Sequence, residues 1–184
     1  MTAATNGKPM PTLWEQIRED WTAHDRDWTR PGFRAVAVSR FGRLQQDSPH
    51  RAVRRLARVV YRVLYRYIRN HYGIELPWTV ELGRRVVIEH QGAIVIHGYA
   101  QIGDDCIVRQ AVTIGNRYTE RPRDAPRLGS RVNIGAGAQI LGDVSIGNDV
   151  RIGANAVVLS DIPSGATAVG VPAVVVSDAH AQSG

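Results

Sequence analysis

The sequence contains little cysteine and no long apolar run. With the single cysteine Cys106, no internal disulfide can form, and its place in the repeat described below favours a small interior side chain over a reactive thiol. A chain without disulfides is typical of a reducing compartment, and we expect a cytoplasmic protein. No apolar run approaches the ~20 residues of a membrane span, and the N-terminus lacks a hydrophobic signal core, so neither feature is expected.

Acidic residues are outnumbered by basic ones. The chain has 23 Lys and Arg against 17 Asp and Glu, a formal net charge of +6 and a pI of about 10.1. This excess favours anionic partners, such as phosphorylated cofactors, lipid surfaces or polyanions. The length of 184 residues suits one compact unit with an accessory segment, which is enough to bury a core.

The feature that the sequence does have is a six-residue repeat that runs without a slip from Leu128 to Val158. An aliphatic lead residue begins each repeat: Leu128, Ile134, Ile140, Ile146, Ile152 and Val158. A second small or branched apolar residue takes the fifth position of each repeat: Val132, Ala138, Val144, Val150, Ala156 and Ile162. A helix repeats at 3.6 residues and a strand at 2, so this period indicates a β-solenoid in which each hexapeptide forms one flat side of a coil.

The same repeat occurs upstream and is interrupted at two places. Its lead residues there are Leu76, Leu82, Ile88, Ile96, Ile102, Val108 and Ile114. The phase moves by two residues between Ile88 and Ile96, which predicts a small irregularity near Ile94. Residues 115–127 lack an apolar lead residue, so we expect them to leave the solenoid as a projecting loop. The predicted fold class is mainly β, a parallel β-helix of hexapeptide repeats with a small N-terminal α-helical region.

The chain is predicted to divide near residue 73. Residues 1–11 are expected to be disordered, residues 12–73 to be α-helical, residues 74–176 to form the β-helix with its loop, and residues 177–184 to form a tail. Helices are predicted within Leu13–Trp28, over Phe33–Leu44 and over His50–His71, with a break at Arg30-Pro31-Gly32 and an end at Gly73.

The third predicted helix is rich in arginine. Its arginines recur at spacings of three and four: Arg51, Arg54, Arg55, Arg58, Arg62, Arg66 and Arg69. We favour a solvated basic face on a helix whose apolar residues pack against neighbouring elements. Contact of the segment 51–69 with an anionic membrane surface or a polyanion is the alternative. Nucleic-acid binding is not expected, because no aromatic and basic platform or reading helix accompanies the charge.

Four motifs resemble the serine acetyltransferase branch of the hexapeptide-repeat acyltransferases, in a form with a shortened N-terminal region. They are the run from Gly32 to Val36, the pair Glu89-His90, the stretch IGAGAQILG at 134–142 and the ending GVPA at 170–173. The resemblance implies a left-handed triangular coil and a homotrimer. It also implies that acetyl-coenzyme A is the cosubstrate, held in a groove between neighbouring chains, and that no metal is needed.

The chemistry of acetyl transfer to a hydroxyl requires a base, and His90 suits this task because histidine titrates near neutral pH. The residue lies two places after the lead residue Ile88, where a side chain should point outward. By resemblance His90 is the general base, with Glu89 as the carboxylate that orients it. His97 follows Ile96 and is a candidate for substrate contact or a plain surface residue. No nucleophile elbow is present, so direct attack within a ternary complex is favoured over an acyl-enzyme.

The cofactor and acceptor sites are assigned by the same resemblance. The positions that match the coenzyme A contacts of the family are Gly115, Asn116, Ala136 and Ala154. In the family the projecting loop carries an Arg-His pair before its proline. Here the loop reads Arg123-Asp124-Ala125-Pro126, which makes Arg123 and Asp124 the candidate acceptor contacts but puts serine in question. The acceptor is left open between L-serine, a related compound, and a sugar hydroxyl in polysaccharide biosynthesis.

Two other functions remain alternatives at this stage. The solenoid also resembles γ-type carbonic anhydrases, whose zinc site needs three converging imidazoles. Only His90 and His97 lie in the repeats, with His71 before them and His180 in the tail, so this reading is disfavoured. A non-catalytic solenoid that serves as a scaffold is the second alternative.

Overall fold

The computed structural model describes residues 12–176, and the elements within this range are short strands preceded by four helices. The helices are α1 (Leu13–Ala23), α2 (Pro31–Gly42), α3 (Leu44–Asp47) and α4 (Arg51–Tyr72). The strands are β1 (Ile74–Glu75), β2 (Glu81–Leu82), β3 (Val87–Ile88), β4 (Ile94–Ile96), β5 (Gln101–Ile102), β6 (Ile107–Val108), β7 (Thr113–Gly115), β8 (Arg127–Leu128), β9 (Asn133–Ile134), β10 (Gln139–Leu141), β11 (Ser145–Ile146), β12 (Arg151–Ile152), β13 (Val157–Val158), β14 (Thr167–Val169) and β15 (Val174–Val176). The predicted disorder of residues 1–11 and the predicted tail 177–184 lie outside the described residues.

The strands form a solenoid with three parallel sheets, because every third strand pairs with the next one up the coil. Sheet 1 has the order β1-β4-β7-β10-β13, sheet 2 has the order β2-β5-β8-β11, and sheet 3 has the order β3-β6-β9-β12-β14. At the C-terminal end β15 joins sheet 3 antiparallel to β14, which closes the parallel series. Each hexapeptide thus supplies one flat side of a turn, as the period predicts.

The lead and fifth-position residues of the repeat form the core. All of them are buried, and the most exposed, Leu82, reaches only 7%. The interior between three sheets is narrow, so an aliphatic lead residue and a smaller fifth residue fill it without a gap. Cys106 occupies a fifth position and is fully buried, which confirms its prediction as interior packing.

The strand register locates both interruptions of the repeat. Ile88 pairs with Val108, 20 residues on, whereas Ile96 pairs with Ile114, only 18 residues on, so two extra residues lie between Ile88 and Ile96. This confirms the predicted irregularity, and both Gly92 and Ala93 adopt positive φ there. Across the loop the offset rises to 26 residues, between Ile102 and Leu128, so the loop adds eight residues to one turn.

The helical region covers the open end of the solenoid, where β1, β2 and β3 are edge strands. Arg40 of α2 donates to the carbonyl oxygens of Leu82 and Gly83, at the edge of sheet 2. Its guanidinium is also paired with Asp20 of α1, and both side chains are almost fully buried. Unpaired edge groups attract other chains, so this capping protects the first turn. Removal of one member would leave a buried charge at a cost of about 3–5 kcal/mol.

The same region contacts β3 directly before the predicted catalytic pair. The backbone N–H of Ile88 donates to Nε2 of the fully buried His24, at 3.2 Å. Since Nε2 accepts this bond, the proton of the neutral ring lies on Nδ1, which donates to the carbonyl of Asp20 at 2.7 Å. A Cβ atom at Gly32 of α2 would lie 1.9 Å from the carbonyl oxygen of Ile88, so only glycine allows this packing.

The helix bounds differ from the predicted ones for local reasons. Pro31 does not simply break a helix but begins α2, because the first helical position needs no N–H. Thr12 caps α1 with Glu15 in a capping box, and Gly73 ends α4 with a φ of 64°. The short helix α3 was not predicted.

Helix α4 packs only one face against the rest of the protein. Its buried residues are Ala57, Tyr61 and Ile68, whereas several apolar residues that were expected to pack, among them Leu56 and Tyr67, are exposed. Between residues 12 and 176, no helix combines the length and the apolar character that crossing a membrane requires.

Candidate active site

His90 lies at a corner of the solenoid where sheet 3 passes into sheet 1. We call residues 89–93, 109–112, 135–138 and 153–156 the His90 corner, because successive turns stack these segments on one another. The Ala111 N–H donates to the Gly92 carbonyl, so Gly92 takes the regular place in the stack and the two extra residues of this turn bulge outward at His90 and Gln91. His90 is exposed and makes no hydrogen bond within residues 12–176, which leaves its imidazole available.

The carboxylate of Glu89 is bound to the next turn of the solenoid. Its Oε2 lies 2.7 Å from Nε of Arg109, which occupies the equivalent position after β6. The same guanidinium donates to Oδ1 of Asn133 at the end of the following turn. Glu89 thus faces along the corner in a ladder of three side chains, and its hydrogen-bond partner is Arg109 rather than His90.

Two of the predicted coenzyme A contacts, Ala136 and Ala154, also lie at the His90 corner. The N–H of Asn155 donates to the carbonyl of Ala136, and the N–H of Gly137 donates to the carbonyl of Gln110. Position 90 is therefore followed, turn by turn, by Gln110, Ala136 and Ala154. The two alanine methyl groups leave the backbone below His90 open to a slender ligand.

The other predicted site residues lie at the next corner, where sheet 1 passes into sheet 2. We call residues 97–100, 116–126 and 142–144 the loop corner. His97 is half-buried, its N–H donates to the Ile114 carbonyl, and its Nδ1 accepts a bond from the N–H of Tyr99 at 3.4 Å. Gly115, the last residue of β7, lies on the turn that follows, and its carbonyl accepts the N–H of Gly142.

The loop from this corner is organised around Tyr118. Arg117 and Arg121 both lie over its ring, at 5.3 and 6.0 Å, and the side-chain amide of Asn116 donates to its carbonyl at 2.9 Å. Asp124 is half-buried with Nη1 of Arg121 at 3.9 Å, Arg123 is exposed, and Ala125 is buried. A small cavity of about 210 Å³ lies between the loop and the turn that contains Asp143.

Within one chain the predicted site residues therefore form two groups. Glu89, His90, Ala136 and Ala154 share the His90 corner, whereas His97, Gly115 and Asn116 share the loop corner with Arg123 and Asp124. The flat side formed by sheet 1 separates the two corners. A single chain does not bring the predicted base and the predicted acceptor contacts together.

Neither a thiol nucleophile nor a three-ligand metal site is found. Burial raises the pKa of the Cys106 thiol to about 11, and its Sγ faces the carbonyl of Gly129 at 3.2 Å in the interior. Among residues 12–176, no three His, Cys, Asp or Glu side chains converge as a metal site would require. His180, one of the histidines considered above, lies outside the described residues.

Arg109 and Asn133 are site residues that the sequence analysis missed. Both are near Glu89 only because the turns are stacked, with residues 20 and 26 apart in register. Alignment of successive hexapeptides was a signal that could have found Arg109, since it follows the lead residue Val108 as Glu89 follows Ile88.

Comparison with known proteins first defines the class. The family model for bacterial transferase hexapeptides (six repeats) matches residues 125–160. The serine acetyltransferase of Synechococcus elongatus is 36% identical over 148 residues, which cover 79% of this chain and 57% of that protein. The serine acetyltransferase of Helicobacter pylori (strain J99) is 39% identical over 118 residues, which cover 64% of this chain and 69% of that protein.

Solved structures give the same relationship. The soybean serine acetyltransferase complexed with serine superposes with a TM-score of 0.76 and 30% identity, over 91% of this chain and 70% of that one. The chain belongs to the serine acetyltransferase family, which confirms the resemblance found in the sequence. The predicted fold class, a left-handed parallel β-helix with a small N-terminal helical region, is confirmed as well. The chain spans only 57% of the Synechococcus protein and 59% of the Staphylococcus xylosus one.

Proposed function

We propose that the protein is an acetyl-coenzyme A-dependent O-acetyltransferase in which His90 is the general base. The observation that carries this proposal is an exposed imidazole without a hydrogen-bond partner in residues 12–176, bulging above a column of small residues in a serine acetyltransferase fold. His90 takes the hydroxyl proton as the acceptor oxygen attacks the thioester carbonyl. Collapse of the tetrahedral intermediate expels the coenzyme A thiolate, which takes that proton from the imidazolium.

The residues of the His90 corner are compatible with coenzyme A. Ala136 and Ala154 place only methyl groups below His90, so a pantetheine arm could run along the backbone and bond to its N–H and C=O groups. When bound, acetyl-coenzyme A supplies the activated acetyl group. Gly115 and Asn116, the other two assigned contacts, lie at the loop corner, which fits a groove with one wall from each of two chains.

We infer from this division that the active unit is a homotrimer. Three-fold packing would set the loop corner of one chain against the His90 corner of its neighbour and so unite the two groups of residues. Light scattering should give a mass three times the 20.3 kDa of the chain. A fully active monomer would contradict a site shared between chains. A cytoplasmic location remains a prediction.

L-Serine is the first acceptor to test, because related proteins are named serine acetyltransferases and one was solved in complex with serine. A sugar hydroxyl is the second candidate, and a specific observation favours it. Ala125, at the place of the family histidine, is buried and has no polar group, and Asp124 adds negative charge beside it. A neutral acceptor would suit this loop better than an amino-acid carboxylate.

The test is thiol release from acetyl-coenzyme A with L-serine, L-homoserine, L-threonine and a panel of sugars, each compared with buffer alone. Acceptor-dependent release identifies both the activity and the substrate class. Binding of coenzyme A without release for any acceptor would contradict the proposed reaction. Failure to bind coenzyme A at all would favour the non-catalytic scaffold.

A further inference from the structure

Helix α4 carries an exposed apolar stripe that nothing in the described chain covers. We define this stripe as Leu56, Val59, Val63 and Tyr67, which recur at spacings of three and four and so lie on one face of the helix. Leu56, Val59 and Val63 are 66%, 59% and 64% exposed. Contiguous apolar surface of this kind marks an interaction site rather than ordinary surface.

A row of arginines borders the stripe along the helix. The arginines that make no ion pair within residues 12–176 are Arg51, Arg55, Arg58, Arg62 and Arg66. No Asp or Glu occurs between Asp47 and Glu75, so α4 contains no acidic residue to compensate them. Like charges three and four residues apart disfavour a helix, and a solvated helix face usually avoids this by alternating signs. The arrangement therefore indicates an anionic partner.

We propose that α4 lies on the surface of an anionic lipid bilayer. Its 22 residues extend over about 33 Å at 1.5 Å per residue, which gives a long contact parallel to the surface. The apolar stripe would enter the boundary between headgroups and acyl chains, while the adjacent arginines extend to the lipid phosphates. The opposite face of α4 stays packed on the protein, through Ala57, Tyr61 and Ile68.

The aromatic side chains at the C-terminal end of α4 fit the same surface. The ring of Tyr67 stacks on His71 and contacts Tyr72 edge-on. The hydroxyl of Tyr72 accepts a bond from Arg34 at 2.6 Å, and Arg34 also lies over the exposed ring of Trp28. Tyrosine and tryptophan favour the interface between lipid and water because one end of each side chain is apolar and the other polar.

A bilayer accounts for both features, and the other occupants account for one each. A nucleic acid or another polyanion would neutralise the arginines but leave the apolar stripe in water. A second copy of α4 would cover the stripe but bring two arginine rows together without any acidic residue between them. An anionic lipid surface is apolar and negatively charged at the required depths.

The experiment measures co-sedimentation of the whole protein with vesicles, without acetyl-coenzyme A or acceptor, so its result is independent of the proposed reaction. Vesicles of phosphatidylcholine alone are compared with an equimolar mixture of phosphatidylcholine and phosphatidylglycerol. We expect binding only to the mixture and weaker binding at high salt. The double variant Arg58→Gln/Arg62→Gln should lower the partition constant by about twentyfold or more, at roughly fivefold for each arginine near the surface. Val59→Ser/Val63→Ser should lower it at least severalfold.

Matched variants elsewhere serve as controls. Arg18→Gln/Arg26→Gln changes the net charge equally outside α4, and Val174→Ser/Val175→Ser removes exposed valines from β15, so both should bind like the parent. Absence of binding to the mixed vesicles overturns the proposal. Binding to heparin or DNA that depends on the arginines but not on the valines would identify a polyanion instead. A smaller assembly mass for Val59→Ser/Val63→Ser would identify a second copy as the occupant.

Discussion

Oε2 of Glu89 lies 2.7 Å from Nε of Arg109, one turn of the solenoid away. This pair ties the corner that carries His90 to the turn beneath it, and Asn133 extends the contact to a third turn. Both partners are about a third exposed, so the pair contributes at most about 1 kcal/mol to stability. Its effect is therefore on the position of the corner more than on the stability of the fold.

Replacement of the proposed base should abolish most of the activity. We expect His90→Ala to lower kcat by at least about 10²-fold, because a general base contributes ~10²–10⁴-fold. Initial rates with the best acceptor of the panel measure this. His50→Ala, which removes an exposed histidine at the start of α4, is the matched control and should retain the parent rate. A His90→Ala rate close to that of the parent would exclude the residue as the base.

Replacement of the neighbouring carboxylate should separate geometry from stability. We expect Glu89→Gln to lower kcat by about tenfold while the free energy of unfolding changes by less than about 1 kcal/mol, because the ion pair is partly exposed. Urea unfolding and steady-state kinetics measure the two effects. Arg109→Gln should resemble it if the ladder positions the corner. An unchanged kcat for both variants would show that the pair has no part in catalysis.

The solenoid could be predicted from the sequence because its period is local. Each lead residue needs only its own hexapeptide to identify it, and all those named were found in the core. The partners of Glu89 and the cap that Arg40 forms over Leu82 and Gly83 could not be predicted, because they join residues that are 20 or more positions apart. The outward face of α4 was also misjudged, since amphipathic periodicity does not say which of two apolar faces is buried.

Stability should fall as the pH is lowered from 7.5 to 5.5 because of His24. Burial lowers the pKa of this imidazole, whereas in the unfolded chain it titrates near 6.5. Below that pH the unfolded state binds a proton that the folded state resists, so the contribution of His24 to stability is present above about 6.5 and is lost as the pH falls. Urea unfolding at several pH values measures the slope. In His24→Gln the overall stability should be lower and the slope in this interval smaller; an equal slope would assign the effect to other groups.

The Cys106 thiol should be inert in the folded protein. Its pKa of about 11 leaves a thiolate fraction below about 10⁻³ at pH 7.5, and the side chain is fully buried. We expect no reaction with a maleimide until denaturant is added, as measured by mass spectrometry. Cys106→Ala should keep nearly full activity, because alanine fills the equivalent fifth position at Ala100 and Ala138. Rapid labelling of the native protein, or loss of activity in this variant, would contradict interior packing as its only role.

The charge of Asp124 should decide how well the protein uses L-serine. The carboxylate is half-buried in the loop and only 3.9 Å from Arg121, a contact too long to neutralise it fully. A serine carboxylate about 4 Å away would be repelled by about 1 kcal/mol, or roughly fivefold in binding, in a water-like medium. We expect Asp124→Asn to lower the KM for L-serine by about this factor with little change in kcat. L-Serinamide, which lacks the carboxylate, should show no such gain, and Asp47→Asn in α3 should change neither acceptor. An equal fall in KM for both acceptors would mean that the shape of the loop, rather than its charge, limits binding.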